Sequence, residues 1–154
     1  DWDNSTPSKE VFDEIFRISK NQIIWGGNYF ATMMSHDSQC WLYWNKGQEG
    51  FSFADGELAW TSFDSAVRAF RMTRVEGARE KGLHPTQKPQ KVIEWSLLRA
   101  KAEKHHKIFD PFMGSGTTAI ACQSLGLEWC GCELEADYVA IANKRLEAVQ
   151  GSLF

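Results

Sequence analysis

The sequence predicts an α/β fold, in which a doubly wound and mostly parallel sheet is covered by helices on both faces. In the last third of the chain, short apolar strands alternate with segments whose apolar residues recur at helical spacing. These strands are continuously apolar, as strands are in parallel sheets that are buried on both faces. With 154 residues, of which 43% are hydrophobic, the chain can bury one substantial core. We therefore expect a single domain over residues 1–154.

The first half of the chain is expected to hold one helix and three strands. Thr6 and Pro7 are typical of an N-cap with proline in the first helical position, and apolar residues then recur at helical spacing until Asn21. Three segments rich in β-branched and aromatic residues predict strands, the first of which is broken by Gly26 and Gly27. These segments are residues 22–30, 41–44 and 57–63.

The second half begins with residues 64–82, where the periodic pattern loosens and arginines accumulate. A helix is expected after the proline-bracketed segment 84–89 and should run to about Lys104. The alternating series then follows as strand, glycine-rich corner, helix, strand and a last helix that ends near Val149. The two strands of this series are KIF at 107–109 and EWCGCEL at 128–134.

Composition excludes several classes of protein. The formal net charge of −3 argues against a protein that coats nucleic acid or membranes nonspecifically. No apolar run approaches the ~20 residues of a membrane-spanning helix. The four cysteines lack the paired spacing of zinc sites, so we expect no metal and reduced thiols in a cytoplasmic protein. They are Cys40, Cys122, Cys130 and Cys132.

The most informative segment is DPFMGSGTTAIAC at 110–122, which places glycines at a strand-to-helix corner. Gly114, Gly116 and Ala119 match the G-x-G-x-x-G/A spacing, which permits a tight turn and close backbone approach to a ligand. Glu133 ends the next predicted strand, where a carboxylate can accept hydrogen bonds from both ribose hydroxyls. The pattern indicates an adenosine-type cofactor, and the alternative is a corner that only packs a helix against a sheet.

Asp110 adds a second carboxylate at the same corner. An acidic group there would repel a pyrophosphate but could hold a cationic group. The expected ligand therefore carries adenosine and a positive charge, as S-adenosylmethionine does. An NAD-dependent oxidoreductase is a further alternative, against which Asp110 and the segment 84–89 both argue.

Three motifs in this order, HPTQKP at 84–89, DPFMGSGTT at 110–118 and GCEL at 131–134, resemble the β group of DNA amino-methyltransferases. That group methylates adenine N6 or cytosine N4, and its catalytic segment and target-recognition region precede these motifs. Upstream segments such as SKNQIIWGGNYF also resemble the group, so the resemblance covers nearly the whole chain. It implies a Rossmann-like methyltransferase fold, S-adenosylmethionine as cofactor, and adenine rather than cytosine as the favoured target.

The resemblance also implies roles for individual residues. The glycine corner would line the methionine side of the cofactor, Glu133 would bind its ribose, and HPTQKP would close over its methionine end. The implied cofactor-binding residues are His84, Thr86, Lys88, Asp110, Phe112, Gly114, Ser115, Gly116, Thr117 and Glu133.

Substrate contacts are expected in two other places. The aromatic residues after the first strand would line the pocket for an extruded base, and the arginines of 64–82 would attract DNA phosphates in a small recognition insert. The candidates are Trp25, Asn28, Tyr29 and Phe30 for the base, and Arg68, Arg71 and Arg74 for DNA. Double-stranded DNA is thus the expected partner, in a bacterial or phage-encoded modification system, with a homodimer as a further expectation.

The catalytic tetrapeptide of the family, D-P-P-Y or S-P-P-Y, does not occur in the sequence. By the family's motif order it would precede Asp1, together with two strands, one of which would lie in the middle of the sheet. We therefore expect a truncated chain, a chain with a separate N-terminal fragment, or half of a split enzyme. The alternative is a noncatalytic subunit that binds S-adenosylmethionine.

Overall fold

The structure is a computed structural model that describes residues 6–50, 52–73, 76 and 87–151. The chain divides into two compact units, Asp1–Thr73 and Arg74–Phe154. The boundary between them falls inside the segment 64–82. The single domain over 1–154 stays a prediction.

The N-terminal unit contains a helix and a four-stranded mixed sheet in the order β1-β3-β2-β4. Strand β3 pairs antiparallel with both β1 and β2, and β4 pairs parallel with β2. The elements are α1 (Lys9–Ile18), β1 (Ile23–Trp25), two short 3-10 helices (Gly27–Tyr29 and Ala31–Met33), β2 (Trp41–Asn45), β3 (Gly56–Thr61) and β4 (Arg68–Arg71).

Trp60 of β3 is the largest side chain in the core of this unit and is almost fully buried. The ring of Phe16, on α1, meets it edge to face at 5.9 Å between centroids. A Cβ at position 27 would lie 2.6 Å from the Cβ of Trp60, so only glycine lets the 3-10 helix pack this closely. The two glycines that interrupt the first predicted strand therefore serve packing around Trp60.

Two boundaries in this unit differ from the sequence-based expectation. Helix α1 begins at Lys9 with Ser8 as its N-cap, and not with Thr6 as the cap. The segment 64–82 is not uniformly irregular, because its residues 68–71 form β4. This strand lies at the end of the sheet, where exposed charged side chains are tolerated, so its arginines obscured it in the sequence.

The C-terminal unit contains the alternating series that the sequence predicted. Strands β5 and β6 pair parallel, with Lys107 opposite Glu128 and Asp110 opposite Gly131, and a helix connects them. The elements are α2 (Gln90–Arg99), β5 (Lys107–Asp110), α3 (Thr117–Leu125), β6 (Glu128–Gly131) and α4 (Ala136–Gly151).

Helix α2 ends at Arg99 and not near Lys104. The chain leaves the helix because Lys101 adopts a left-handed conformation with φ of 53°. The amide of Ala102 then donates to the carbonyl of Leu97, which closes a Schellman-type helix end.

Helix α3 is the buried centre of the C-terminal unit. On one side Ala121 and Cys122 pack with Leu97 of α2, and on the other Ala119 and Ile120 pack with Leu146 of α4. Because α3 is held from both sides, its first residue is fixed relative to the ends of β5 and β6. Among the helices of the described ranges, none is long and apolar enough to cross a membrane.

Candidate cofactor-binding site

The loop between β5 and α3 turns at two glycines with left-handed backbone. Gly114 has φ of 54° and Gly116 has φ of 83°, which other residues rarely adopt. A Cβ at position 116 would also lie 2.8 Å from the Cβ of Ala142. Gly116 therefore lets α4 pack directly against the loop, which is the close helix packing expected of a glycine at this point in the corner. We call residues 111–117 the glycine loop.

Asp110 ends β5 at the start of the glycine loop. Its Oδ1 accepts a hydrogen bond from the amide of Phe112 at 2.9 Å, and its Oδ2 accepts one from the hydroxyl of Thr118 at 2.5 Å. The carboxylate is thus fixed by both ends of the loop. It lies at the carboxyl edge of the parallel pair, where ligands bind in open α/β sheets.

Glu133 follows β6 and reaches the same loop. Its Oε2 accepts from the amide of Gly114 at 2.7 Å, and its Oε1 accepts from the amide of Glu135 at 2.8 Å. A carboxylate offers about four acceptor positions, so both oxygens can take a further donor such as a ribose hydroxyl. Glu133 therefore braces the loop without using up its acceptor capacity.

Two residues that were not among the sequence candidates bind Ser115, a buried residue of the glycine loop. The Ser115 hydroxyl donates to Oε1 of Gln87 at 2.9 Å. Nη1 of Arg145, on α4, lies 2.5 Å from the Ser115 carbonyl oxygen, 3.0 Å from its Oγ and 3.3 Å from Oγ1 of Thr117. Gln87 lies within HPTQKP and could have been selected from the motif, whereas no motif marks Arg145.

Large apolar side chains are exposed around the loop. Phe112 is 58% exposed, and Leu134, which directly follows Glu133, is 98% exposed. Leu134 gains almost no burial from folding, and it stands beside the carboxylate proposed for a ribose. It could pack against a planar ring bound there, and it is a candidate that the sequence analysis missed.

The structure brings seven of the sequence candidates together in one unit. They are Asp110, Phe112, Gly114, Ser115, Gly116, Thr117 and Glu133. Lys88 is half-buried in the segment just before α2. His84 and Thr86 lie outside the described residues, so their assignment stays a prediction.

The substrate candidates lie in the N-terminal unit. Trp25 ends β1, and the next residues form the 3-10 helix in which Asn28 is exposed and Tyr29 is 78% exposed. The Phe30 ring packs on that of Phe12 at 5.4 Å, so Phe30 contributes to folding. These positions leave Asn28 and Tyr29 as the better placed candidates for contact with a base.

The DNA candidates that the structure describes are Arg68 and Arg71, at the two ends of β4. Both side chains are exposed, and their separation of three positions along a strand directs them to opposite faces of the sheet. Arg74 lies outside the described residues. DNA contact by these arginines stays a prediction.

The electrostatic character of the site is set by two carboxylates, loop amides and one partly buried cation. Burial lowers the pKa of the Arg145 guanidinium, although arginine remains protonated under all ordinary conditions. No group of three or more potential metal-binding side chains occurs within the described ranges. A parallel β-α-β unit with a glycine loop and an acidic residue after its second strand defines a Rossmann-like site for an adenosine-containing ligand.

Comparison with known proteins identifies the family within this class. The sequence model of the DNA methylase family matches residues 3–144. The chain therefore belongs to the DNA methylase family.

Curated relatives are type II methyltransferases of bacteria. M2.LlaDCHI of Lactococcus lactis subsp. cremoris is 30% identical over 148 residues, which are 94% of this chain and 48% of that protein. M2.DpnII of Streptococcus pneumoniae is 46% identical over 67 residues, which are 44% of this chain and 25% of that protein. The chain thus spans from a quarter to about half of the length of these relatives.

Solved structures confirm the predicted fold class. The M1.HpyAVI complex with S-adenosylmethionine superposes with a TM-score of 0.69 at 21% identity, over 93% of this chain and 84% of that one. The DNA modification methylase TTHA0409 of Thermus thermophilus, complexed with S-adenosyl-L-methionine, gives a TM-score of 0.60 at 19% identity, over 92% and 75% of the chains. The chain has the Rossmann-like α/β fold of these proteins.

Proposed function

We propose that the protein transfers a methyl group from S-adenosylmethionine to the exocyclic amino group of adenine or cytosine in DNA. The observation that carries the proposal is the convergence of Asp110, Glu133 and the glycine loop at the carboxyl edge of a parallel strand pair. Membership of the DNA methylase family, and relatives that are type II methyltransferases, support it.

The residues present fit this cofactor in charge and shape. Glu133 keeps acceptor capacity for ribose hydroxyls, and Leu134 and Phe112 offer exposed apolar surface to the rest of the adenosine. Asp110 places a second negative charge at the loop, which favours a sulfonium over a pyrophosphate. This combination supports S-adenosylmethionine over a nicotinamide dinucleotide.

When bound, S-adenosylmethionine supplies an electrophilic methyl group on a positively charged sulfur. The contribution of the described residues is to bind and orient, because the tetrapeptide that holds the target amine in this family does not occur in the 154 residues. Tyr29 and Asn28 are exposed beyond β1 and could form part of a pocket for an extruded base. Adenine N6 is the favoured target, with cytosine N4 as the alternative.

The test uses the protein in its natural full length with double-stranded DNA and isotopically labelled S-adenosylmethionine. After digestion to nucleosides, mass spectrometry should detect labelled N6-methyladenine, or N4-methylcytosine if cytosine is the target. A matched control with Glu133→Gln should bind the cofactor less tightly and transfer less label.

Other outcomes point to the alternatives. Tight binding of S-adenosylmethionine without methyl transfer would indicate a noncatalytic subunit, or half of a split enzyme that needs its partner. Binding of NADH in preference to S-adenosylmethionine, followed by tryptophan fluorescence, would overturn the proposal in favour of an oxidoreductase.

A further inference from the structure

Ser115 is the point at which two other segments of the C-terminal unit are tied to the glycine loop. It is only 4% exposed, and both its hydroxyl and its carbonyl oxygen have partners from outside the loop. Gln87 approaches from the segment before α2, and Arg145 approaches from α4. Because a buried polar group without partners is costly, these bonds restrict the conformations of the loop.

The contribution of Arg145 is the more extensive of the two. One terminal nitrogen reaches a carbonyl oxygen and two hydroxyl oxygens, on residues 28 and 30 positions earlier in the chain. The guanidinium is always charged, and hydrogen bonds to charged groups are stronger than those between neutral groups. The bond at 2.5 Å goes to the backbone carbonyl of Ser115, so it restrains the path of the main chain itself.

The position of α4 explains why this contact is directional. Ala142 lies one helical turn before Arg145 and packs against Gly116, where a Cβ would approach to 2.8 Å. The helix therefore meets the loop twice, through an apolar contact at Gly116 and through charged hydrogen bonds at Ser115 and Thr117. The apolar contact sets the distance, and the guanidinium sets the orientation of the peptide between the two glycines.

We propose that Arg145 is a positioning residue, which holds the glycine loop in its ligand-binding conformation before any ligand is present. The benefit for the cofactor rests on the function proposed above. The effect on the loop itself does not, because the contacts are made within the protein alone.

The first experiment measures hydrogen exchange in the ligand-free, full-length protein. The amides of Met113, Gly114 and Gly116 are bonded to Cys132, Glu133 and Met113, respectively, and so they report on the loop. In Arg145→Gln, we expect these amides to exchange at least about tenfold faster, as loss of a charged hydrogen bond implies, while amides within α3 keep their protection. The control is Lys144→Gln, which removes the same charge from the neighbouring, exposed position of α4 and should change nothing.

The second experiment measures the affinity for S-adenosylmethionine by calorimetry in the same proteins. We expect Arg145→Gln to raise the Kd about tenfold and Arg145→Lys to have an intermediate effect, because lysine keeps the charge but not the planar fork of donors. If the wild-type protein fails to bind S-adenosylmethionine, the proposed function fails, and the exchange experiment still decides the role of Arg145.

Two results would overturn the proposal. One is unchanged exchange of the loop amides in Arg145→Gln. The other is uniform loss of protection throughout α3 and β5, which would indicate that Arg145 only stabilises the unit as a whole. If Arg145→Gln does not fold, Arg145→Lys is used for the same comparison of loop and helix amides.

Discussion

Glu133 combines a structural and a binding role in one side chain. Its two oxygens already accept from the amides of Gly114 and Glu135, at 2.7 and 2.8 Å. The carboxylate is half-buried, and it braces the glycine loop at the place where a ribose would bind. Substitution at this position is therefore expected to affect the loop and the ligand together.

We predict that Glu133→Gln weakens binding of S-adenosylmethionine by about tenfold or more, which corresponds to loss of a hydrogen bond to a charged group. The amide nitrogen of glutamine cannot accept, so it must face either a backbone N–H or the ribose. Calorimetric titration measures the change. Glu128→Gln serves as the control, because Glu128 is an exposed carboxylate at the start of β6. Equal affinities of wild type and Glu133→Gln would show that Glu133 does not contact the cofactor.

The cysteines differ sharply in their chemical environment. Burial, with a smaller contribution from the charge of Asp110, raises the pKa of the Cys122 thiol to about 12. At a pH of about 8 this thiol is therefore protonated and poorly nucleophilic. Cys130 and Cys132 are exposed.

We predict that iodoacetamide at a pH of about 8 alkylates Cys130 and Cys132 in the folded protein and leaves Cys122 unmodified. Peptide mass spectrometry before and after denaturation measures the difference, and denatured protein should react at all four positions. Rapid alkylation of Cys122 in the folded protein would contradict the packing of α3 described above.

At the scale of elements, the junction of α3 and α4 depends on one glycine. Gly116 and Gly126 flank α3, and both have left-handed backbone, with φ of 83° and 65°. They differ in surroundings, because a Cβ would meet Ala142 at position 116 and open space at position 126. The pair separates the cost of backbone strain from the cost of steric conflict.

We predict that Gly126→Ala lowers the free energy of unfolding by about 1–2 kcal/mol, from the left-handed backbone alone. Gly116→Ala should cost about 1–3 kcal/mol more, because overpacking against α4 adds to the strain. Urea denaturation of the two variants measures the difference. Equal losses would mean that α4 moves away from the loop without penalty.

The elements that the sequence predicted best are those with unambiguous periodicity. Strands β5 and β6 and helix α3 were predicted from continuous apolar runs and helical spacing, and their parallel pairing followed from the alternation. The end of α2 was missed because Lys101, and not glycine or asparagine, adopts the left-handed conformation there. Strand β4 was missed because an exposed edge strand needs little apolar pattern.

The candidate site was predictable where its residues are close in sequence. Gly114, Gly116 and Asp110 belong to one motif, and Glu133 follows at a spacing fixed by the β-α-β unit. Arg145 and Leu134 were not predictable in this way. The role of Arg145 depends on how α4 folds back onto the loop, and that of Leu134 depends on its exposure.

At the scale of the whole molecule, a net charge of −3 requires any attraction to DNA to be local. Arg68 and Arg71 are the exposed cations of β4. Arg71 is partly engaged, since it contributes to lowering the pKa of Glu49, after hydrogen bonds from the Glu49 amide and from Asn45. Arg68 is therefore the better probe of phosphate contact.

We predict that Arg68→Gln weakens DNA binding to a similar degree for all sequences and reduces the slope of log affinity against log salt by about 1, as loss of one phosphate contact requires. Fluorescence anisotropy over a range of salt concentrations measures this slope. Arg99→Gln removes an exposed arginine from α2 and is the matched control. An unchanged slope in Arg68→Gln would exclude Arg68 from the DNA interface.

The glycine loop is attached at three places, through Glu133, Gln87 and Arg145, and this has a consequence for the time course of binding. A ligand that meets an already formed surface needs no slow rearrangement after the encounter. Rapid mixing with S-adenosylmethionine should therefore give a single kinetic phase, whose rate constant rises linearly with ligand concentration. A rate constant that instead levels off at high concentration would reveal an isomerisation step, and would show that these attachments break and re-form during each binding event.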